Sequence, residues 1–273
     1  MPAAERETVM TDPLEEIEFL ARSQNRIAVL DAVASGPHTR RELEEVVGAS
    51  QPTLARILRD FEARHWVERR GTEYVPTPSG SFVADSFTEL LSNVETEVRL
   101  RSVAQWLPMD SLDVSLARFD SARITRPTRT SPNGPLKRAL ELSGEAKTQQ
   151  VVSYVLNHEM LETLHDAAVD GTQSLRGVLS RETVETLCDD STSKQRLRAL
   201  LAAENTALRL ADEPIPFAVG VADETVYFFL RDDEGLLRAL LESTDEAVHE
   251  WAIETVEAYW NRGVDVDTAS YES

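Results

Sequence analysis

Between Asn25 and Thr77 the hydrophobic spacing changes in a fixed order, and that order constrains the fold more than any other feature of the chain. In "NRIAVLDAVA" (25–34), Ile27, Leu30 and Val33–Ala34 recur at helical spacing, and Gly36-Pro37 stops the helix. Thr39 then stands as an N-cap with Glu42 three residues on, the capping-box pattern. The helix it opens is expected to bury Leu43, Val46 and Val47 and to end at Gly48. Ser50 caps a third helix with Pro52 in its first turn, where a missing N–H costs little. Leu54, Ile57, Leu58 and Phe61 form its inner stripe at i, i+3, i+4 and i+7. "WVERRGTEYVPT" (66–77) reads as two short strands turning at Arg70-Gly71-Thr72. Helix, helix, short glycine-containing turn, helix, hairpin is the order of a winged helix-turn-helix.

Charge adds a second constraint. The 273 residues carry a net charge of −20, with 48 acids against 25 arginines and three lysines. Net charge this far from zero keeps a protein soluble through self-repulsion, a device of halophiles. A salt-loving archaeal source is one expectation, and drift toward arginine in a GC-rich genome is the other. The acids are unevenly spread: residues 1–80 hold 14 acids and 10 arginines, net −4, whereas residues 81–273 hold 34 acids and 18 bases, net −16. Seven arginines fall between Arg40 and Arg70. A strongly acidic chain can approach a polyanion only through a locally non-acidic face.

That face is expected to bind double-stranded DNA. The third helix would enter the major groove, where glutamine can pair with adenine, arginine with guanine, and threonine can touch a thymine methyl. Gln51, Thr53, Arg56 and Arg59 lie on its outer side. Thr39, Arg40 and Ser50 flank it, and Arg64, Arg69, Arg70 and the wing-tip Thr72 are expected at phosphates. Three-helix units with a hairpin also serve as protein–protein modules; the spacing together with the local relief of negative charge favours DNA.

No apolar run approaches the ~18 residues of a membrane span, and residues 1–12 show no signal-peptide pattern. The single Cys188 excludes an intrachain disulfide, suits a reducing cytoplasm, and reads as a small buried apolar residue. The expected layout is a winged helix over 12–80, a linker or dimerisation helix over 81–108 and an α/β sensor domain over 109–265. "TPSG" (77–80) caps the long helix, expected to run to about Pro108, and Val83, Phe87, Leu90, Val94 and Val98 recur along it as a helix-pairing seam. Its partner would be a second copy of the chain or the chain's own C-terminal domain. Beyond Asp110, "SARITRPT", "TQQVVSYVL", "SLRGVLS" and "TALRLAD" read as strands. "FAVGVADETVYFFL" reads as a hairpin turning at Asp223-Glu224. Helices are expected in "NHEMLETLHDAAVDG", "KQRLRALLAAEN" and "DEAVHEWAIETVEAYWNRG". Such alternation implies a mixed α/β domain with a central sheet. "RPTRTSPNGP" (126–135) reads as loop.

"SQPTLARILRDFEARHWVERRGTEYVPTPSG" resembles the winged-helix modules of archaeal regulators. The run from Leu208 to Trp260 is similar to the sensor domain of the haloarchaeal and methanogen FilR-type regulators, related to the TrmB-like sugar regulators. Pro216-Phe217, Asp223, Gly235 and Trp251-Ala252 carry that likeness. The resemblance covers nearly all the chain beyond residue 15. It implies a transcriptional regulator whose C-terminal domain has a phospholipase-D-like fold used for sensing. Catalytic members of that fold need H-x-K, and here Pro135, Glu145 and Thr192 stand two positions before the three lysines. Phosphodiesterase chemistry by that route is therefore excluded, and no enzyme activity or cofactor is expected.

"HEMLETLH" places His158, Glu162 and His165 on one helical face, a spacing able to hold zinc or iron. The same three residues also read as the solvated flank of a Leu161–Leu164–Ala168 core stripe, and no metal is expected. An effector pocket is expected at strand ends, with Thr125, Arg126, Ser153 and Tyr154 as candidates and Arg126 suited to an anion. The functional expectation is a homodimeric DNA-binding regulator that senses a small molecule. The alternative is a ligand-independent regulator whose acidic C-terminal domain recruits protein partners.

Overall fold

A computed structural model describes residues 12–266. The chain divides into two compact units, Met1–Val94 and Glu95–Ser273. The boundary falls inside the long helix rather than at its ends.

In the first unit, Asp12 caps α1 (Pro13–Ala21) by accepting from the Leu14 amide at 2.9 Å. The helix α2 (Gln24–Ala34) buries Val29, Leu30, Ala32 and Val33. A short β1 (His38–Thr39) precedes α3 (Arg40–Val47), and the Thr39–Glu42 capping box is formed in full. Gly48 ends α3 in the left-handed region at φ 68°, which a side chain would strain. The chain then re-enters helix at α4 (Gln51–Ala63), whose Leu54, Ile57, Leu58 and Phe61 are all buried as the spacing requires. Val46 departs from expectation: it is 66% exposed, because α3 turns only Leu43 and Val47 toward α2 and α4. The wing strands β2 (Val67–Arg70) and β3 (Glu73–Pro76) pair antiparallel, and β1 adds a third strand against β3.

Next comes α5 (Pro78–Leu100). Thr77 accepts from the Gly80 amide at 3.0 Å, and a Cβ on Gly80 would lie 1.8 Å from the Trp66 carbonyl oxygen. Only glycine lets the helix cross the start of the wing this closely. The helix ends at Leu100, short of the expected Pro108: Val103 and Leu107 are buried in the C-terminal core, and the chain there folds into a 3-10 turn at Ala104–Trp106.

The second unit is built on an eight-stranded mixed sheet. Its elements in chain order are β4 (Arg123–Thr125), α6 (Gly134–Glu145), β5 (Thr148–Ser153), α7 (His158–Val169), β6 (Ser174–Leu179), α8 (Arg181–Asp189), α9 (Ser191–Ala202), β7 (Thr206–Leu210), β8 (Ala218–Ala222), β9 (Thr225–Arg231), β10 (Leu237–Ser243), α10 (Glu246–Arg262) and β11 (Val264–Asp265). The strand order is β11-β7-β6-β5-β8-β9-β10-β4, with β5, β6 and β7 parallel and the remaining pairings antiparallel. Each face of the sheet covers its own apolar core. Val152, Val219, Phe228 and Leu241 pack with Trp251, Ala252 and Val256 of α10 on one side. Val151, Tyr227 and Leu240 pack with Leu161, Leu164, Val184 and Leu197 of the helices on the other. This is the mixed α/β class expected from the alternating pattern.

Candidate nucleic-acid interface

Helix α4 is anchored by its buried stripe, and its opposite side is therefore solvent-facing by helical geometry. Gln51, Arg56 and Arg59 are exposed on it, with Thr53 half-buried beside them. Arg56 and Arg59 form no ion pair among the described residues. Both guanidinium groups therefore keep their charge unneutralised by any carboxylate among the described residues, on one exposed helix face. They present ten N–H donors, an arrangement able to engage base edges or phosphates.

The polar groups around the helix-turn-helix corner are tied to one another. Ser50 and Thr53 share a hydrogen bond of 2.9 Å through their hydroxyls. Arg40 donates to the Gln51 carbonyl at 2.7 Å, bracing α3 against the first turn of α4, and Gln51 donates to Glu44 at 3.1 Å. The Thr39 hydroxyl is engaged with Glu42 at 2.8 Å, and this capping draws the Glu42 carboxyl below its ordinary range, mainly through the Thr39 amide. Thr39 thus fixes where α3 starts, leaving its side chain little freedom for a ligand. On the wing, Arg69 donates to the Gly71 carbonyl at 3.0 Å, Arg70 pairs with Glu68 at 2.5 Å, and Thr72 is exposed at the tip.

Arg64 corrects the sequence expectation. Its guanidinium lies 3.7 Å from the Phe19 ring centre, pairs with Glu16 at 2.6 Å and donates to the Asp60 carbonyl at 3.1 Å. It is half-buried and clamps α1 to α4, so it is not at hand for a phosphate. The missing signal was α1 itself, which supplies both Glu16 and Phe19. Arg41, which sequence reasoning passed over, is 88% exposed and held only by an i,i+4 pair with Glu45 at 3.1 Å, a contact that a phosphate can replace.

The four effector candidates do not form one site. Thr125 and Arg126 lie at the edge strand β4, where Arg126 donates to Ser102 at 2.5 Å. Ser153 and Tyr154 lie at the end of β5, and three strands separate β5 from β4. The Ser153 hydroxyl is buried and donates to the Val155 carbonyl at 2.6 Å. The "HEMLETLH" face is likewise dispersed: His158 engages Ser193, Glu162 pairs with Arg196, and His165 with Asp166 at 2.9 Å. No group of three metal-ligating side chains occurs among the described residues. Among them, too, no helix is long and apolar enough to cross a membrane.

Two family models match the chain. Residues 14–99 match the HVO_A0261 N-terminal domain, and residues 132–262 match the middle domain of the methanogenesis regulatory protein FilR1. The resemblance to FilR-type regulators is borne out by the second match. No curated protein matches. Among solved structures, TrmBL2, an archaeal chromatin protein described with a novel mode of DNA binding, aligns at 20% identity and a TM-score of 0.41, over 93% of this chain and 100% of its own. The phospholipase D family member Nuc from Salmonella typhimurium aligns at 16% identity and a TM-score of 0.41, covering 53% of this chain and 97% of its own. NucT from Helicobacter pylori aligns at 13% identity and a TM-score of 0.43, covering 53% of this chain and 98% of its own.

Proposed function

With an HVO_A0261-type N-terminal domain and a FilR1-type middle domain in one chain, we propose that this protein is a transcriptional regulator that reads duplex DNA through α4. The observation that carries the reading is the exposed face of α4, where Arg56 and Arg59 have no acidic partner among the described residues of a −20 chain. Arg56, Arg59 and Gln51 would read base edges, while Arg41, Arg69 and Arg70 neutralise phosphates. Glu44 and Glu68 hold Gln51 and Arg70 until DNA displaces them. A DNA target places the protein in the cytoplasm.

The regulator acts as a homodimer through α5. Leu90, Val94 and Val98 are 48%, 48% and 56% exposed, and Phe82 is 73% exposed. Phe82 and Leu90, with Ile17 and Phe87, rim an apolar groove between α1 and α5, a surface of the kind that marks an interface. The C-terminal domain senses a small molecule, and its strongly acidic surface suits a salt-rich cytoplasm.

Selection from a random duplex pool with the full chain tests the DNA reading. An enriched inverted repeat with half-sites about one helical turn, ~10 bp, apart is expected. A pool that stays random counts against it.

A further inference from the structure

The local relief of negative charge found around α4 occurs a second time in the chain, and over a longer stretch. The two longest runs without an acid are residues 46–59, which hold Arg56 and Arg59, and residues 121–140. The second run carries five bases, Arg123, Arg126, Arg129, Lys137 and Arg138, between Asp120 and Glu141. It lies within residues 81–273, the part of the chain whose net charge is −16. Its first three arginines fall between the two family matches, 14–99 and 132–262, and neither match covers them.

These bases differ in what already holds them. Arg138, on α6, is spent on the fold, since it donates to the buried Glu242 carboxylate at 2.8 Å. Lys137 comes no closer than 3.9 Å to Glu141. Arg123 stands on the edge strand β4 with its side chain 66% exposed, and its 3.8 Å approach to Glu242 competes with Arg138 for the same carboxylate. Arg126 follows the strand, is exposed, and donates to the Ser102 hydroxyl at 2.5 Å. Beyond it the Thr128 amide donates to the Ser131 carbonyl at 3.0 Å and the Ser131 amide to the Thr128 carbonyl at 3.2 Å, which closes a tight turn. Arg129 is exposed at the tip of that turn, and its guanidinium has no hydrogen bond or ion pair among the described residues. Thr128, Thr130 and Ser131 are exposed beside it and add hydroxyls to the same surface.

Charge on an edge strand also has a purely structural use, because it blocks pairing with the edge of another sheet. That use is served by either sign of charge and ends with the strand at Thr125, whereas the bases continue to Arg129 and acids are absent throughout. Exposed guanidinium groups with hydroxyls among them, on an open edge, fit an extended anion. Arginine binds phosphate through two parallel hydrogen bonds, and Ser and Thr hydroxyls are regular phosphate donors. We propose that Arg123, Arg126 and Arg129 form a second nucleic-acid contact of this protein, a sequence-independent one on the phosphate backbone of duplex DNA. It rests on the DNA reading above and extends it: α4 selects the sequence, and the β4 edge adds affinity without selection.

The test is the salt dependence of binding by the full chain to a long random duplex, followed by fluorescence anisotropy from about 0.1 to 1 M KCl. Counterion release gives the logarithm of affinity a slope of about −0.9 per phosphate contacted, so Arg123→Gln, Arg126→Gln and Arg129→Gln combined should flatten it by about 2–3. The ratio of affinities for the selected and random duplexes should stay within about twofold of wild type, since only phosphate contacts are lost. A control that combines Arg181→Gln, Arg198→Gln and Arg262→Gln changes the net charge equally at three other exposed arginines of the second unit, and its slope should match wild type. Arg129→Glu alone, at the tip of the turn, should flatten the slope by about 1, and it decides the matter if the triple variant melts early. An unchanged slope in both variants overturns the proposal, as does equal flattening in the control. A triple variant that keeps its DNA slope but loses self-association at low salt in light scattering also overturns it, and assigns the edge to the acidic surface of a second copy. Arg56→Ala separates the two readings. A flattened slope in the triple variant with an unchanged ratio in Arg56→Ala keeps this surface and removes base reading by α4, and the opposite pair of results keeps α4 and removes this surface.

Discussion

Two arginines about two turns apart on or beside α4 have different fates, and the difference is set by what each can reach. Arg56 points away from the buried stripe and meets water. Arg64, at the helix's C-terminal edge, meets Glu16 and Phe19 instead. Arg64→Ala should therefore lower the unfolding free energy by about 1–2 kcal/mol, through a part-buried ion pair and a cation–π contact. DNA affinity of the folded variant should remain within about twofold of wild type. Urea unfolding and a binding titration on one preparation check both halves. Asp223 offers a second residue-scale test. It holds the turn of the β8–β9 hairpin at φ 51°, and accepts from the Thr148 amide at 2.9 Å and the Lys147 amide at 3.1 Å. These bonds, led by that from Thr148, hold its carboxyl below the ordinary aspartate range of about 3.9. The folded state thus favours the charged form, so the stabilisation is complete above the unfolded pKa and is lost as pH falls through the lower folded one. Asp223→Asn should lower the melting temperature by a constant amount above about pH 5, and the gap to wild type should close below about pH 4. A gap that widens in acid would contradict the assignment.

Among the elements, α5 carries the assembly claim. Val83 and Phe87 lean on the winged-helix core, whereas Leu90, Val94 and Val98 continue the same stripe into solvent. Leu90→Glu would place a charge in the middle of a dimer contact while disturbing no core, since Leu90 is half-exposed in the single chain. The mass from light scattering should fall to that of one chain with melting little changed; an unchanged mass rejects the seam. The elements that sequence patterning missed share a physical reason. Helix α1 has its apolar residues Leu14, Ile17 and Leu20 interrupted by acids, and its signal is the Asp12-Pro13 start rather than a strong stripe. Helix α6 begins inside a segment whose Ser, Pro, Asn and Gly composition reads as loop, because Asn133, Gly134 and Pro135 are all start-compatible residues. Helix α8 is only Arg181–Asp189, too short for periodicity to show, and β1 is two residues that become a strand only because β3 is there to pair with them. Where local pattern and tertiary packing agree, as in α4, α7, α10 and the β8–β9 hairpin, the reading was complete.

At the scale of the whole molecule, the charge is relieved at the N-terminal side, where residues 1–80 hold 14 acids and 10 arginines, mostly within the first family match at 14–99, whereas the second match at 132–262 lies wholly in the remainder, which carries −16. Which residue types would face DNA was legible in the sequence, since exposure on α4 follows from helical periodicity alone. Which arginines were already spent on the protein was not, because the partners of Arg64 come from α1 and those of Arg40 from the helix-turn-helix corner. The effector candidates fall at two places for a related reason: strand ends can be read from pattern, but strand order cannot, and β4 joins the sheet at the edge remote from β5. The close packing of the Tyr227 ring over β8 had a faint trace in "FAVGVADETVYFFL", where Gly220 stands in a strand otherwise rich in valine and alanine. The regulatory function proposed for this protein requires, before anything else, that α4 read bases. Its most direct test is the ratio of affinities for the selected duplex and a random duplex, measured for wild type and Arg56→Ala at one fixed KCl concentration. The variant should lose about 1–3 kcal/mol on the selected duplex and little on the random one, so the ratio should fall by roughly tenfold or more. An unchanged ratio, with both affinities intact or both reduced alike, would contradict the reading.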